Sequence, residues 1–324
     1  MNIRTIQIVV GLACTLFFLA LALYRAPLEA VGAAIASANP IFIAAAMCVY
    51  AVNLSLRAWR WQIILRPVAS ISYSSVCKAL VVGYGLNAIM PARLGELFRA
   101  EFVKKDLGLS RASTLSSIVV ERLFDGLTVI GCLGLGLLLA TRQDMAALVN
   151  VLVIASALFG VILLAALGLA GPGTCLSFVR SPRLSAQLMM VRQALHILRT
   201  RRIVAVALLT LFIYLPDTLS VWLIVKAIGL QLGFADTLVL LGAASLSTLL
   251  PSGPAFLGPL QFAYALAIEF AGAPAAAGIA AATLDQLCIL LPMALIAAGV
   301  LVHGARGVLC AALATRSRDA RQAG

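Results

Sequence analysis

Six stretches of this chain are long and apolar enough to cross a lipid bilayer, and that feature restricts the fold more than any other. A spanning helix needs about 20 mostly apolar residues. Residues 6–24, 41–56, 123–141, 145–170, 203–225 and 275–302 all approach that length. Of the 324 residues, 63% are hydrophobic, where a soluble domain averages roughly 45–50%. Lipid is therefore the solvent for most of these side chains. The expectation is an all-α polytopic membrane protein with about six transmembrane helices. The first run could pass for a signal peptide, but it is long and no small-x-small site closes it before Arg25, so it reads as a retained helix.

Charge placement sets an expected orientation, because cytoplasmic loops collect Lys and Arg. The chain has 24 of these against 12 Asp and Glu, a net charge of +12. With the N-terminus inside, Arg4, Arg66, Lys104, Lys105, Arg111, the run Arg180 to Arg202 and the tail from Arg306 to Arg321 become cytoplasmic. Only Arg25, Arg142 and Lys226 then face out. This places both termini in the cytoplasm of a bacterial inner membrane. A basic balance can also mark nucleic-acid binding, but here the charge follows loop polarity, and no nucleic-acid partner is expected. The seven cysteines are scattered without a C-x-x-C pair, and His196 and His303 lie far apart. Neither a metal nor a cofactor is expected.

Two stretches fit neither a simple crossing nor a loop. Tyr73 to Lys105 starts apolar, breaks at Asn87 to Pro91, and continues with Arg93, Glu96, Arg99 and Glu101. Asp236 to Phe270 breaks at Pro251-Ser252-Gly253-Pro254 and resumes as a short apolar run. Proline removes a backbone donor and disfavours helix in the residue before it. Each stretch is thus expected to form two short helices around an unwound turn, which lipid tolerates only inside protein or beside a watery cavity. Both read as re-entrant helical hairpins.

The breaks also resemble each other: Pro91-Ala92-Arg93-Leu94-Gly95 and Pro254-Ala255-Phe256-Leu257-Gly258 share four of five residues at an offset of 163. The same offset superposes the crossings that flank them. One integral membrane domain, 1–324, is therefore expected to hold a first structural repeat at 1–143 and a second at 144–305, followed by a basic tail at 306–324. Three crossings per half would invert the second relative to the first, an architecture of many secondary transporters. Between the halves, residues 180–202 carry leucines at helical spacing with arginines on other faces, the pattern of an amphipathic helix on the cytoplasmic surface.

Charges inside the membrane are costly and need partners. Arg57 and Arg60 share a helical face beside Trp59 and Trp61, which fits either a functional site or a snorkelling interface anchor. Glu121, Arg122 and Asp125 form either a buried polar cluster or an interfacial one. Arg93 and Glu96 follow the Pro91 break, where the unpaired amides of a new helix favour anions; they bind a headgroup phosphate or pair with each other, with Asn87 orienting groups in the same turn. Asp217 and Asp285 fall near the middle of their crossings with no basic neighbour in sequence. They either pair with Arg93 or Arg122 across the repeat interface or couple protons, and pairing is favoured because it also neutralises the arginines.

Val82-Gly83-Tyr84-Gly85 resembles a potassium-channel filter, but the flanking sequence lacks the basal Thr and the preceding pore helix. Walker, nucleophile-elbow and zincin patterns are absent, so no enzymatic chemistry is expected.

Taken together, Arg57-Ala-Trp-Arg60-Trp61, Asn87-Ala-Ile-Met-Pro91-Ala-Arg93-Leu-Gly95-Glu96-Leu-Phe-Arg99, Glu121-Arg122-Leu-Phe-Asp125 and Pro251-Ser-Gly-Pro254-Ala-Phe-Leu-Gly258 resemble the family built on the transmembrane region of lysylphosphatidylglycerol synthases. The resemblance spans nearly the whole chain. It implies lipid translocation through a helical cavity, and stand-alone members include proteins associated with hopanoid or lipid-linked sugar pathways. The chain ends soon after its last helix, so no aminoacyltransferase domain is expected. Ala255 and Gln261 stand where relatives often have Gly and Glu. The expected function is a lipid flippase or transporter for an anionic phospholipid or lipid-linked glyco- or hopanoid-type substrate. In that reading Arg93, Glu96, Asn87, Arg122, Arg57 and Arg60 bind the headgroup, while Asp125, Glu121, Asp217 and Asp285 balance charge or couple protons. The alternative is a non-transporting accessory subunit that presents lipid to a biosynthetic partner enzyme.

Overall fold

A computed structural model describes residues 3–89, 94–140, 146–169, 200–250 and 252–322, with Met189, Arg192 and Leu195 between. Among these residues there are eleven α-helices and one 3-10 turn. The helices are α1 (Ile3–Tyr24), α2 (Leu28–Ala36), α3 (Pro40–Leu65), α4 (Tyr73–Ile89), α5 (Leu94–Leu107), α6 (Arg111–Leu139), α7 (Ala146–Leu169), α8 (Arg202–Ala227), α9 (Phe234–Ser247), α10 (Pro259–Phe270) and α11 (Ala275–Gln322). The turn, Pro254–Phe256, lies between α9 and α10.

Among the described residues five helices are long and apolar enough to span a membrane, or six if the bent pair at the N-terminus counts as one span. That pair turns by 85° between α1 and α2, at Pro27. The chain is a multi-pass α-helical membrane protein. Two spans run further than their apolar stretches suggest. Asn39 caps α3 with Pro40 in its first turn, and the helix continues through Arg57 and Arg60 to Leu65. Ser110 caps α6, which starts at Arg111, so Glu121, Arg122 and Asp125 stand well inside a 29-residue helix and not at its start.

Packing places α3 against α8 over most of their length. The pair is antiparallel: the Asn39 amide donates to the Ala227 carbonyl at 2.7 Å at one end, and Asn53 Nδ2 donates to the Ile213 carbonyl at 2.8 Å further along. That second bond lies beside Pro216, whose missing N–H disturbs the local helix ladder. Asn53 adds a donor to the carbonyl next to the one that Pro216 leaves without its N–H, on a stretch where lipid offers no water to bond it.

The segments between spans fold back on themselves. At about 1.5 Å per residue, α4, α5, α9 and α10, with 17, 14, 14 and 12 residues, are each shorter than the ~30 Å hydrocarbon layer. α4 packs on α5, with Asn87 and Gly83 of one facing Gly95 and Arg99 of the other. A Cβ at Gly95 would lie 2.2 Å from the Gly83 carbonyl oxygen, so only glycine lets these helices approach so closely. α9 packs on α10 in the same way. Val82-Gly83-Tyr84-Gly85 is helical within α4, so its carbonyls do not form an ion filter.

At the 163-residue offset α3 falls on α8, α4 on α9, α5 on α10 and α6 on α11. Exchanging these partners preserves the packing: α6 lies on α9 as α11 lies on α4, and α6 touches α8 as α11 touches α3. An antiparallel pair exchanged in this way needs a two-fold axis perpendicular to it, and α3 and α8 are that pair.

On the outside, α7 packs chiefly on α6 and exposes Val153, Ile154, Val161 and Leu164. In a bilayer that surface meets acyl chains. The proposed amphipathic helix at 180–202 lies largely outside the described residues, although Leu195 is buried. Pro91, Arg93 and Pro251 also lie outside them.

Candidate substrate site: a buried charge network beside a cavity

Four arginines and four carboxylates converge where α3, α5, α6 and α8 meet. Arg60 is fully buried and grips Asp125 with both terminal nitrogens, at 2.5 and 3.1 Å, a bidentate arrangement that suits the planar guanidinium. Its Nη1 also donates to Thr210 Oγ1 at 3.1 Å, and its Nη2 lies 3.3 Å from Glu121. Glu121 in turn accepts from Arg99 Nη2 at 3.2 Å and from the Tyr84 hydroxyl at 3.4 Å. The Arg99 guanidinium lies 3.4 Å from the ring centre of buried Trp61, a cation–π contact. The Trp61 indole N–H donates to Ser117 at 3.0 Å.

Nearer the cavity, Arg57 donates to Asp217 Oδ2 at 2.6 Å and to Asn53 Oδ1 at 2.6 Å, and lies 3.6 Å from Asp125. Arg122 donates twice to Glu96 Oε1, at 2.8 and 3.1 Å, and this pair is the most exposed of the four-arginine cluster. The network is electrically balanced within itself. Removing either member of a buried pair would leave a desolvated charge, at about 3–5 kcal/mol.

Beside the network lies a cavity of about 240 Å³, bounded by the ends of both hairpins. Arg57, Arg122, Asp217 and Asp285 contribute its charges, Tyr50, Tyr84 and Tyr264 its hydroxyls, and Ile289, Leu290 and Met293 an apolar wall. Asn87 reaches it from the first hairpin; Ala255 and Phe256 reach it from the second. Among the described residues no group of three His, Cys, Asp or Glu converges as a metal site would require.

Several expectations are corrected by this geometry. Arg57 and Arg60 do not snorkel to an interface; burial of Trp61 and Arg60 at 0% exposure places that face of α3 against the rest of the bundle, while Trp59 on another face is half exposed. Glu121 and Asp125 are buried inside the bundle, while Arg122 is partly exposed beside them. Asp217 pairs with Arg57, and among the described residues not with Arg122, because antiparallel α3 and α8 bring residues 57 and 217 together; the expected Arg93 partner lies outside those residues. Asp285 does not pair with Arg122, which Glu96 engages; its Oδ2 accepts from the Tyr264 hydroxyl at 2.8 Å. Glu96 therefore pairs with Arg122, and the expected Arg93 contacts fall outside the described residues. Asn87 Oδ1 accepts from the Gly95 amide at 2.8 Å, closing the first hairpin.

The second hairpin is closed differently. Gly258, at φ +90, caps α10, and its amide donates to Gln261 Oε1 at 2.8 Å. Gln261 donates to Gln286, and Gln286 donates to the Ala255 carbonyl, both at 2.6 Å. Ala255 and Phe256 both hold left-handed backbone at φ +60 and +59, a strained conformation for residues with a Cβ. From α1, Thr15 accepts from the Gly253 amide at 2.7 Å and donates to the Leu257 carbonyl at 3.1 Å. Sequence reading overlooked Arg99, Asn53, Tyr264 and Gln286. Only Asn53 carried a local signal, since it precedes Arg57 by one helical turn.

Fold and site together define a polytopic α-helical membrane protein with a charged, cavity-bearing interior between two hairpins. Residues 8–297 match the family described as the lysylphosphatidylglycerol synthase TM region, and the chain belongs to that family. Over 133 residues it is 35% identical to glycosyltransferase AglD of Haloferax volcanii, a match covering 40% of this chain and 21% of that protein. The chain thus spans about a fifth of the length of that curated relative.

Proposed function

We propose that this chain is a flippase that carries an anionic phospholipid or lipid-linked headgroup across the bacterial inner membrane. The family and the cavity support a membrane protein acting in lipid or glycolipid pathways. One observation carries the finer reading: the cavity lies where both hairpins end, and it is lined by Arg57 and Arg122. In inverted-repeat transporters substrates bind at this place, and one half rocks against the other around them. The antiparallel α3–α8 pair supplies the corresponding axis, and N-terminus and tail are both cytoplasmic in this reading.

Arg122 is the arginine best able to exchange partners, because it and Glu96 are a third and a fifth exposed, whereas Arg60 is sealed by Asp125. A lipid phosphate offers a guanidinium the same bidentate, charge-assisted pair of acceptor oxygens as a carboxylate. Its arrival would free Glu96 and with it the return helix of the first hairpin. Arg57 meets the phosphate from the other side, and Asn87 holds the hairpin end. Arg60, Glu121 and Asp125 do no binding; they hold α3 and α6 in register. No bond is made or broken, so the protein is not an enzyme.

The similarity to a glycosyltransferase favours a second reading, in which this region presents lipid to a partner enzyme without moving it. Translocation of headgroup-labelled anionic and neutral lipids in proteoliposomes separates the two. A flippase moves labelled anionic lipid, and Arg122→Gln or Arg93→Ala abolishes the movement. Absence of movement by the wild type across a broad lipid panel selects the presenting subunit.

A further inference from the structure

Asp285 is the cavity carboxylate that the charge network leaves out. The four arginines of the network are matched by Glu96, Glu121, Asp125 and Asp217. Asp285 lies on α11, 8% exposed, and among the described residues it has no ion pair. Its Oδ2 takes the Tyr264 hydroxyl from α10, while no described partner holds its Oδ1. An unpaired carboxylate away from water is costly and is relieved by a proton or a cation.

The groups facing it do not supply that cation. Tyr50 from α3, Asp217 from α8 and Tyr84 from α4 line the same cavity, and none is cationic. Arg57 and Arg122 line it too, but Asp217 and Glu96 hold them. Cys288 sits one turn along α11 itself, and Glu29 on α2 is exposed.

Repeat symmetry sharpens the point. Residue 285 is the counterpart of residue 122 at the 163-residue offset, so one half carries an arginine where the other carries an aspartate. Each ties its own helix to the return helix of its own hairpin: Arg122 to Glu96, Asp285 to Tyr264. The first tie is an ion pair that opens only by exchange of one anion for another. The second changes when the carboxylate gains a proton, and the adjacent Gln286 holds the strained Ala255 at the hairpin end. Strain of this kind gathers in segments that switch.

We propose that Asp285 is a proton-binding site that couples the second hairpin to the proton gradient. A proton from water in the cavity adds to Asp285 Oδ1, neutralises the carboxyl and loosens its hold on Tyr264; release of the proton restores it. The coupling rests on the flippase reading, but the proton site does not.

Dicyclohexylcarbodiimide reacts with protonated carboxyls in membranes, and peptide mass spectrometry of the full-length wild type in lipid nanodiscs reads the site. Asp285 should be labelled near neutral pH, with Asp217 and Asp125 unlabelled. Labelling should fall about ten-fold per pH unit on the alkaline side, as for one titrating group. Absence of label at Asp285 down to mildly acidic pH overturns the proposal, whether Arg93 or another cation protects it. In proteoliposomes, an imposed pH gradient should accelerate translocation of labelled phosphatidylglycerol several-fold in the wild type and not at all in Asp285→Asn. Equal acceleration in both overturns the coupling. A wild type that labels at Asp285 yet moves no lipid keeps the proton site and removes the flippase reading.

Discussion

The two hairpins occupy equivalent places in the repeat but are held by different chemistry. In the first, α5 is pinned by charge: Glu96 to Arg122, and Arg99 between Glu121 and Trp61. In the second, α10 and the turn before it are held by neutral or singly charged hydrogen bonds through Gln261, Gln286, Tyr264 and Thr15. Buried ion pairs are hard to break one member at a time, at about 3–5 kcal/mol, whereas a single hydrogen bond contributes about 1 kcal/mol. The second hairpin also carries two strained residues that the bonds around it must offset. An approximately symmetric scaffold thus gives one hairpin held by ion pairs and one held by weaker hydrogen bonds.

Substitutions can break that comparison, and the largest effect is expected in the charged half. Arg60→Ala strands Asp125 and Glu121 in the interior and should cost about 3–5 kcal/mol in denaturant unfolding in micelles. A loss below about 1 kcal/mol would mean that the network does not stiffen the first half. Gly95→Ala forces a Cβ against the Gly83 carbonyl and should cost about 1–3 kcal/mol, while Gly160→Ala, with open space around it, should be neutral. In the second half the effects shrink. Thr15→Val removes one acceptor and one donor at the hairpin break and should cost about 1 kcal/mol. Ala255→Gly should stabilise by about 1 kcal/mol, since glycine adopts the left-handed backbone freely.

The smallest effect lies at the surface. Arg111 hydrogen-bonds Glu101 and holds its carboxyl below the usual range. Any stability this exposed pair adds is present above the ordinary carboxylate pKa and is lost as pH falls through the lowered value. Glu101→Gln should leave thermal unfolding at neutral pH unchanged within error.

Much of this architecture was legible in the sequence. Apolar runs located every span, and paired Pro-Gly breaks located both hairpins, because lipid admits so few alternatives to helix. Helix ends were harder. The run before Arg57 reads as finished, yet α3 continues to Leu65, since a single sequence cannot distinguish a charge at the interface from one neutralised inside. Asp217 finds Arg57 at a separation of 160 residues, and Asp125 finds Arg60 at 65; packing decides such pairs and spacing does not reveal them. Arg99 stood out in the sequence only as one charge in the return segment of the first hairpin, and only the Trp61 ring and Glu121 beside it show that it belongs to the core. Asp285 was visible as an intramembrane charge, but its lack of a described counter-ion became visible only once the neighbouring arginines were assigned.

Whether a lipid headgroup enters the cavity between the hairpins can be measured directly. A phospholipid with a photoactivatable diazirine in its headgroup, incorporated with the protein into nanodiscs and irradiated, marks whatever the headgroup touches. Adducts on cavity residues such as Tyr50, Tyr84, Tyr264 and Met293, reduced by Arg122→Gln, are the expected result. Adducts only at the helix ends facing the bilayer surface, unchanged by that substitution, would contradict a headgroup path through the interior.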